Sequence, residues 1–211
     1  LDIGYDADQL LFAGVRFADG AAPPAPAVAS AMRDVATRLR RRAGVQAVAT
    51  GAMDPMRGFT VLQFYTGRDS AGSFGPNEPT LGIVSPEFFA ATGLRIVRGT
   101  GFSTAGPGVA PREIVINEAM ARILWKDRSP IGECMVFVTR AAPCFTIVGV
   151  VETARRDNVI EAAMPQYYAS LDQPPIPDWP GTRLVVRADG PALDAVRTDV
   201  RTLLQAAWPA G

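Results

Sequence analysis

Apolar and polar residues follow two different rhythms along this chain. From residue 27, Val28, Met32, Val35, Ala36, Leu39 and Ala43 recur at steps of four, three, one, three and four, which is the apolar face of an amphipathic helix. That helix is expected to end at Gly44 as its C-cap. Near the other end of the chain, Leu193, Val196, Val200, Leu203, Leu204 and Ala207 step in the same way and predict a second long helix. Short apolar runs bounded by turn residues predict strands over 10–17, 45–49, 59–65, 80–84, 114–116, 134–138, 144–151, 166–170 and 183–187. Two short helices sit among them. Ser85, Pro86 and Glu87 offer a hydroxyl cap, a proline where no amide is missed and an acid in the first turn; Phe88 and Phe89 follow, and Gly93 closes the helix. Asn117 caps the next one, with Glu118 at its start and Met120, Ile123 and Leu124 on its apolar face; Pro130 and Gly132 end the region.

The order of these elements predicts an α+β fold. The first 65 residues read as strand, helix, strand, strand, and the last 30 as strand and helix, with a β-rich middle between them. Two stretches dense in Gly, Ser, Asp and Pro, residues 66–79 and 172–181, look like crossings between bodies. The expected organisation is a subdomain of two βαβ-type units built from 1–70 and 180–211, with a mixed, β-rich subdomain of 71–179 inserted. Strands 10–17 and 183–187 then belong in one sheet, covered by the helices around Val35 and Val200, because neither unit buries its sheet face alone. No strict internal repeat is present.

Composition narrows the function more by exclusion than by indication. The 211 residues carry 21 basic and 21 acidic side chains, so there is no general attraction to nucleic acid or to an anionic surface. Histidine is absent, which removes Ser/His/Asp and Cys/His nucleophiles and every histidine metal site. Ser85 and Ser103 would need a lysine as base, and Lys126 is the sole lysine. Glu113, Glu118, Glu133, Glu152 and Glu161 are scattered rather than clustered as a calcium loop requires. The run Arg98-Gly99-Thr100-Gly101 lacks the glycine spacing and the following Lys-Ser/Thr of a phosphate loop and reads as a turn. Arg38, Arg40, Arg41 and Arg42 crowd the end of the first helix, where they fit its dipole as a solvated helix end. No catalytic, metal or cofactor residue is therefore assigned. Cys134 and Cys144 would face each other across a hairpin centred near Thr139; in an oxidising compartment they are expected to be bonded, the alternative being two buried thiols. The apolar runs are too short to span a membrane. The chain opens on Leu1 without a signal peptide and reads as a piece cut from a longer protein.

Three stretches go beyond generic pattern: residues 83–99 (IVSPEFFAATGLRIVRG), 114–132 (IVINEAMARILWKDRSPIG) and 145–152 (FTIVGVVE), with Tyr167 and Tyr168 soon after. Together they resemble the periplasmic core domain of MacB-like, FtsX-like ABC transporter permeases. By position, Ser85, Pro86, Phe88, Phe89, Gly93 and Gly99 match the family's serine, aromatic and glycine run. Asn117, Glu118, Pro130, Ile131 and Gly132 match its Asn-Glu helix and Pro-Ile-Gly turn, and Gly149 its Val-Gly-Val strand. Thr100 and Glu133 depart from it, standing where arginine and a basic residue are common. The opening LDIGYDADQLL is similar to the second core domain of the large duplicated permeases.

The resemblance implies a porter-like subdomain carrying an insertion and a non-catalytic role in the periplasm, on a bacterial inner-membrane protein. It also implies flanking transmembrane helices outside this chain, a cytoplasmic ATPase whose hydrolysis is coupled to substrate efflux or to partner proteins, and a periplasmic adaptor among those partners, with no nucleic acid. The competing readings are a soluble small-molecule binding domain and a cryptic enzyme.

Overall fold

The structure, a computed structural model, describes residues 7–18, 22–52, 64–66, 70–71, 79–104, 111–154, 164–175 and 181–208. In chain order the elements are β1 (Leu10–Gly14), α1 (Ala25–Leu39), β2 (Val45–Gly51), β3 (Phe64–Thr66), β4 (Ser70–Ala71), β5 (Thr80–Val84), α2 (Phe88–Thr92), β6 (Ile96–Gly99), β7 (Glu113–Asn117), α3 (Glu118–Leu124), β8 (Cys134–Phe137), β9 (Phe145–Val151), β10 (Gln166–Ser170), β11 (Arg183–Ala188) and α4 (Leu193–Ala207). All strands join one mixed sheet in the order β1-β11-β2-β5-β10-β7-β9-β8-β3-β4, with β6 also paired to β9. The α+β class expected from the pattern is what forms.

Alternation along each strand divides the core between two faces. On β11, Leu184, Val186 and Ala188 join Val28, Met32, Val35 and Leu39 of α1 and Val196 and Val200 of α4, while Val185 belongs to the opposite face. On β10, Tyr167 and Ala169 pack with Ile114, Ile116, Met120 and Trp125, and Tyr168 points the other way, to Phe88 and Phe89 of α2. The apolar runs at residues 81–84 of β5 and 114–116 of β7 follow from this, since strands covered on both faces have no polar side to show.

The two chain ends meet. β1 pairs antiparallel with β11, and β11 antiparallel with β2. β1 and β2 are thus parallel with one strand between them, a βαβ unit split by β11, and α1 and α4 lie together on the same face.

Local structure departs from the pattern in three places. The first helix stops at Leu39 rather than Gly44: the amides of Arg41 and Arg42 bond the carbonyls of Arg38 and Leu39, a tightened final turn, and Ala43 is exposed. Gly44, at φ 78°, instead reverses the chain into β2. Ser85 does not cap α2 with its hydroxyl, because that oxygen faces β2. The strand expected over 59–65 is described only from Phe64, and β3 pairs with β8, not with β2; residues 53–63 lie outside the described residues. Much of the two turn-rich stretches, 67–69, 72–78 and 176–180, also lies outside them.

Asn117 forms as the pattern predicts and does more than cap. Its Oδ1 accepts from the amides of Met120 (2.9 Å) and Gln166 (3.0 Å), and its Nδ2 donates to the Met164 carbonyl (2.8 Å), so one fully buried side chain ties β7, α3 and β10. Asn117→Ala removes the cap and orphans buried backbone groups, and is expected to cost about 2–4 kcal/mol. Urea unfolding checks this, and a loss below about 0.5 kcal/mol would contradict the assigned role.

Candidate functional site

The sheet narrows to a single ladder position between β2 and β5, Gly51 with Val84. Two amides flank it, Ala52 donating to the Ile83 carbonyl and Ser85 to the Thr50 carbonyl, both at 2.8 Å. The ladder would next use the Ser85 carbonyl, but that oxygen accepts from Phe88 (3.0 Å) as the chain turns into α2. The Ser85 hydroxyl takes its place and accepts the Thr50 amide at 3.1 Å. A serine at this join therefore continues the sheet by one bond while its backbone starts a helix.

Across the join, one face is filled. Phe88 and Phe89 sit 5.8 and 5.3 Å, centroid to centroid, from Tyr168, and Phe89 lies 5.7 Å from Phe102, over a cluster that includes Ala49 of β2, Val84 of β5 and Val185 of β11. Arg187 reaches from β11 to the end of α2, its Nε donating to the Ala91 carbonyl at 3.2 Å. On the opposite face the cover is interrupted. The α1–α4 cluster and the α3 cluster are separate there. A cleft of about 270 Å³ is lined by Arg33, Thr37 and Arg40 of α1, by Ser85 and Glu87, and by Leu171 and Asp172.

The charges of this cleft are paired only in part. Arg40 donates to the Val48 carbonyl (2.8 Å) and lies 3.4 Å from Glu87, tying α1 to both sides of the join rather than serving as a solvated helix end. Arg42 pairs with Asp199 of α4 at 3.2 Å. Burial pushes the Asp172 carboxyl above the ordinary carboxylate value; Arg33 pulls it partly back, and Glu87 raises it further.

The other positions singled out in the sequence lie elsewhere and do not converge on one pocket. Gly93 ends α2 in a left-handed conformation. Gly99 and Gly149 face each other where β6 meets β9: a Cβ on Gly99 would run into the Val148 carbonyl and one on Gly149 into the Thr100 carbonyl, so the two strands approach as only glycines permit. Pro130, Ile131 and Gly132 form the turn into β8, with the Gly132 amide bonded to Ile147 at 2.8 Å. Glu118 sits in the first turn of α3. Cys134 and Cys144 are disulfide-bonded with Cα atoms 5.6 Å apart, closing the β8–β9 hairpin. Ser85 is engaged with a backbone amide and Lys126 is exposed; among the described residues no group of three or more His, Cys, Asp or Glu is placed to hold a metal.

The family model of the MacB-like periplasmic core domain matches residues 5–203. The chain belongs to this family. Its fold is also that of two solved structures. One is the periplasmic region of MacB from Actinobacillus actinomycetemcomitans, at TM-score 0.63 and 12% identity, covering 97% of this chain and 86% of that one. The other is the extracellular domain of the noncanonic ABC-type transporter YknZ from Gram-positive bacteria, at TM-score 0.55 and 13% identity, covering 93% and 91%. No curated protein sequence matches the chain. This MacB-like core domain thus shares its fold with extracytoplasmic domains of ABC transporters. The Ser85 and aromatic motif marks the join in its sheet. The cleft residues Arg33 and Asp172 carried no signal in the sequence, because only the pairing of β2 with β5 brings them together.

Two outcomes follow for this site. A carboxyl whose value is raised on folding favours the folded state below its unfolded value, and that contribution is lost as pH rises through the folded one. Asp172→Asn is therefore expected to be more stable than the parent at pH 7 and equal to it at pH 3 in thermal melts. Loss of the Cys134–Cys144 bond should cost about 3 kcal/mol by loop entropy. Unreduced protein produced in the periplasm should take up no alkylating reagent; two modified thiols would contradict the pairing.

Proposed function

We propose that this domain is a mechanical coupling element of an ABC permease, passing movements driven by a cytoplasmic ATPase to efflux substrates or to partner proteins such as a periplasmic adaptor. In this reading the chain is anchored in the bacterial inner membrane by helices on either side. Two bodies move against each other: a terminal one of β1, β2, β11, α1 and α4, and an inserted one built mainly from residues 71–179. The observation that carries the proposal is the asymmetry of their join. One ladder position and a continuous apolar cluster link them on one face, while the other face holds an open, charge-lined cleft. A seam closed on one side and open on the other bends about the closed side, the geometry of hinged bodies.

The test is a lock across the cleft. Thr37→Cys on one wall and Leu171→Cys on the other, in the complete permease with its ATPase, are bridged by a short bis-maleimide; the native cysteines, being bonded, do not react. Transport is expected to fall by about tenfold or more on bridging, while each single-cysteine variant treated alike keeps its activity. Unchanged transport in the fully bridged protein would overturn the proposal.

A further inference from the structure

β1 is an edge of the sheet, and among the described residues no strand pairs with its outer side. Its phase follows from one bond: the Val15 amide donates to the Thr182 carbonyl at 3.0 Å. Bonded and open positions alternate in an antiparallel pair, so Leu11 and Ala13 direct their main-chain groups to β11, while Phe12 and Gly14 turn theirs outward. Edge strands in soluble proteins are ordinarily guarded by a charge, a proline or a bulge. The sequence Leu10-Leu11-Phe12-Ala13-Gly14 has no charge and no proline, its register with β11 is unbroken, and Phe12 is 40% exposed.

Beside this edge runs a groove of about 500 Å³, walled by Leu11 and Ala13 on the strand, by Val200 and Leu204 on α4 and by Trp208 just after it. An edge strand next to a helix is the arrangement in which an extended peptide adds to a sheet, main-chain bonds giving affinity and alternate side chains entering the groove. The rim is cationic. Arg16, Arg197 and Arg201 line it and no carboxylate does. Arg197 is held by Asp194 at 2.6 Å, whereas Arg16 and Arg201 have no carboxylate partner among the described residues. Pairing of β1 with a second copy would bring these arginines toward their own kind, so the charge favours a different occupant.

We propose that β1 accepts an extended, carboxylate-bearing peptide segment of a partner protein as an added strand, its apolar side chains seated between β1 and α4 and its carboxylates on Arg16 and Arg201. This stands apart from the coupling role and needs no transporter to be tested. The probe is a blocked octapeptide of four central valines flanked by two glutamates at each end, so that valines enter the groove while glutamates reach the rim from both faces, added to the isotope-labelled chain, with amide exchange read by NMR. Protection is expected to rise at Phe12 and Gly14 and to stay unchanged at Ala13, which is already bonded inward. The exposed double variant Arg16→Glu/Arg201→Glu should bind about tenfold or more weakly, as loss of close charge pairs implies. A peptide N-methylated at alternate residues, which keeps the charges but loses the main-chain donors, should weaken similarly. The proposal is overturned if the octapeptide leaves Phe12 and Gly14 unprotected, if the N-methylated or a lysine-for-glutamate peptide binds equally well, or if those two amides are already protected in the free protein by dimerisation.

Discussion

At the join of β2 and β5 the sheet is one ladder position wide, and two backbone bonds and one to the Ser85 hydroxyl carry it across. Each such bond contributes about 0.5–1.5 kcal/mol net, so the ladder alone is a weak tie. Phe88, Phe89 and Tyr168 are buried there, each about 1.5–3 kcal/mol by burial, with ring contacts adding about 0.5–1.5 kcal/mol apiece. The apolar cluster under α2 therefore holds the two halves of the sheet together, and the remaining features of the molecule are arranged around that fact. Ser85 keeps the ladder alive at the one point where the backbone must leave it. Arg187 and Arg40 brace the same join from either side, the first at the end of α2 and the second between α1 and Glu87.

A join built in this way is stiff toward separation on the α2 face and compliant on the other, because no apolar cluster bridges α1 and the α3 half. The cleft left there contains side chains of both signs. Asp172 sits in it at an electrostatic cost that folding tolerates, its carboxyl raised chiefly by burial. Such a cost is easier to carry at a site reached by solvent than in a sealed core, where the group would have to be fully paired.

Away from the join, the side of the sheet built from β7, β8 and β9 is held by devices that resist deformation. Asn117 locks three elements with three bonds. Gly99 and Gly149 let β6 and β9 approach closely, the disulfide fixes the β8–β9 hairpin, and Phe64, Phe137 and Tyr167 form an aromatic cluster. The side built from β1, β11 and β2 relies instead on the two long helices and on an edge strand that no described strand covers.

What the sequence determined alone was local and periodic. Helical spacing placed α1 and α4, short apolar runs placed most strands, Asn117 announced the start of α3, Gly93 the end of α2, and the two cysteines their hairpin, because each rests on interactions within a few residues. The resemblance carried by Ser85 to Gly99 and Asn117 to Gly132 identified the family, since those caps and turns are needed at fixed positions whatever lies around them. Tertiary structure decided the rest. It paired Phe64–Thr66 with β8, turned the Ser85 hydroxyl from its own helix to Thr50, and drew Arg40 away from the helix dipole toward Glu87. It also assembled the cleft of Arg33 and Asp172 and, among the described residues, left the outer side of β1 without a paired strand. Each of these depends on which strand lies next to which, and pairing between residues far apart in the chain leaves no period or spacing by which a sequence can declare it.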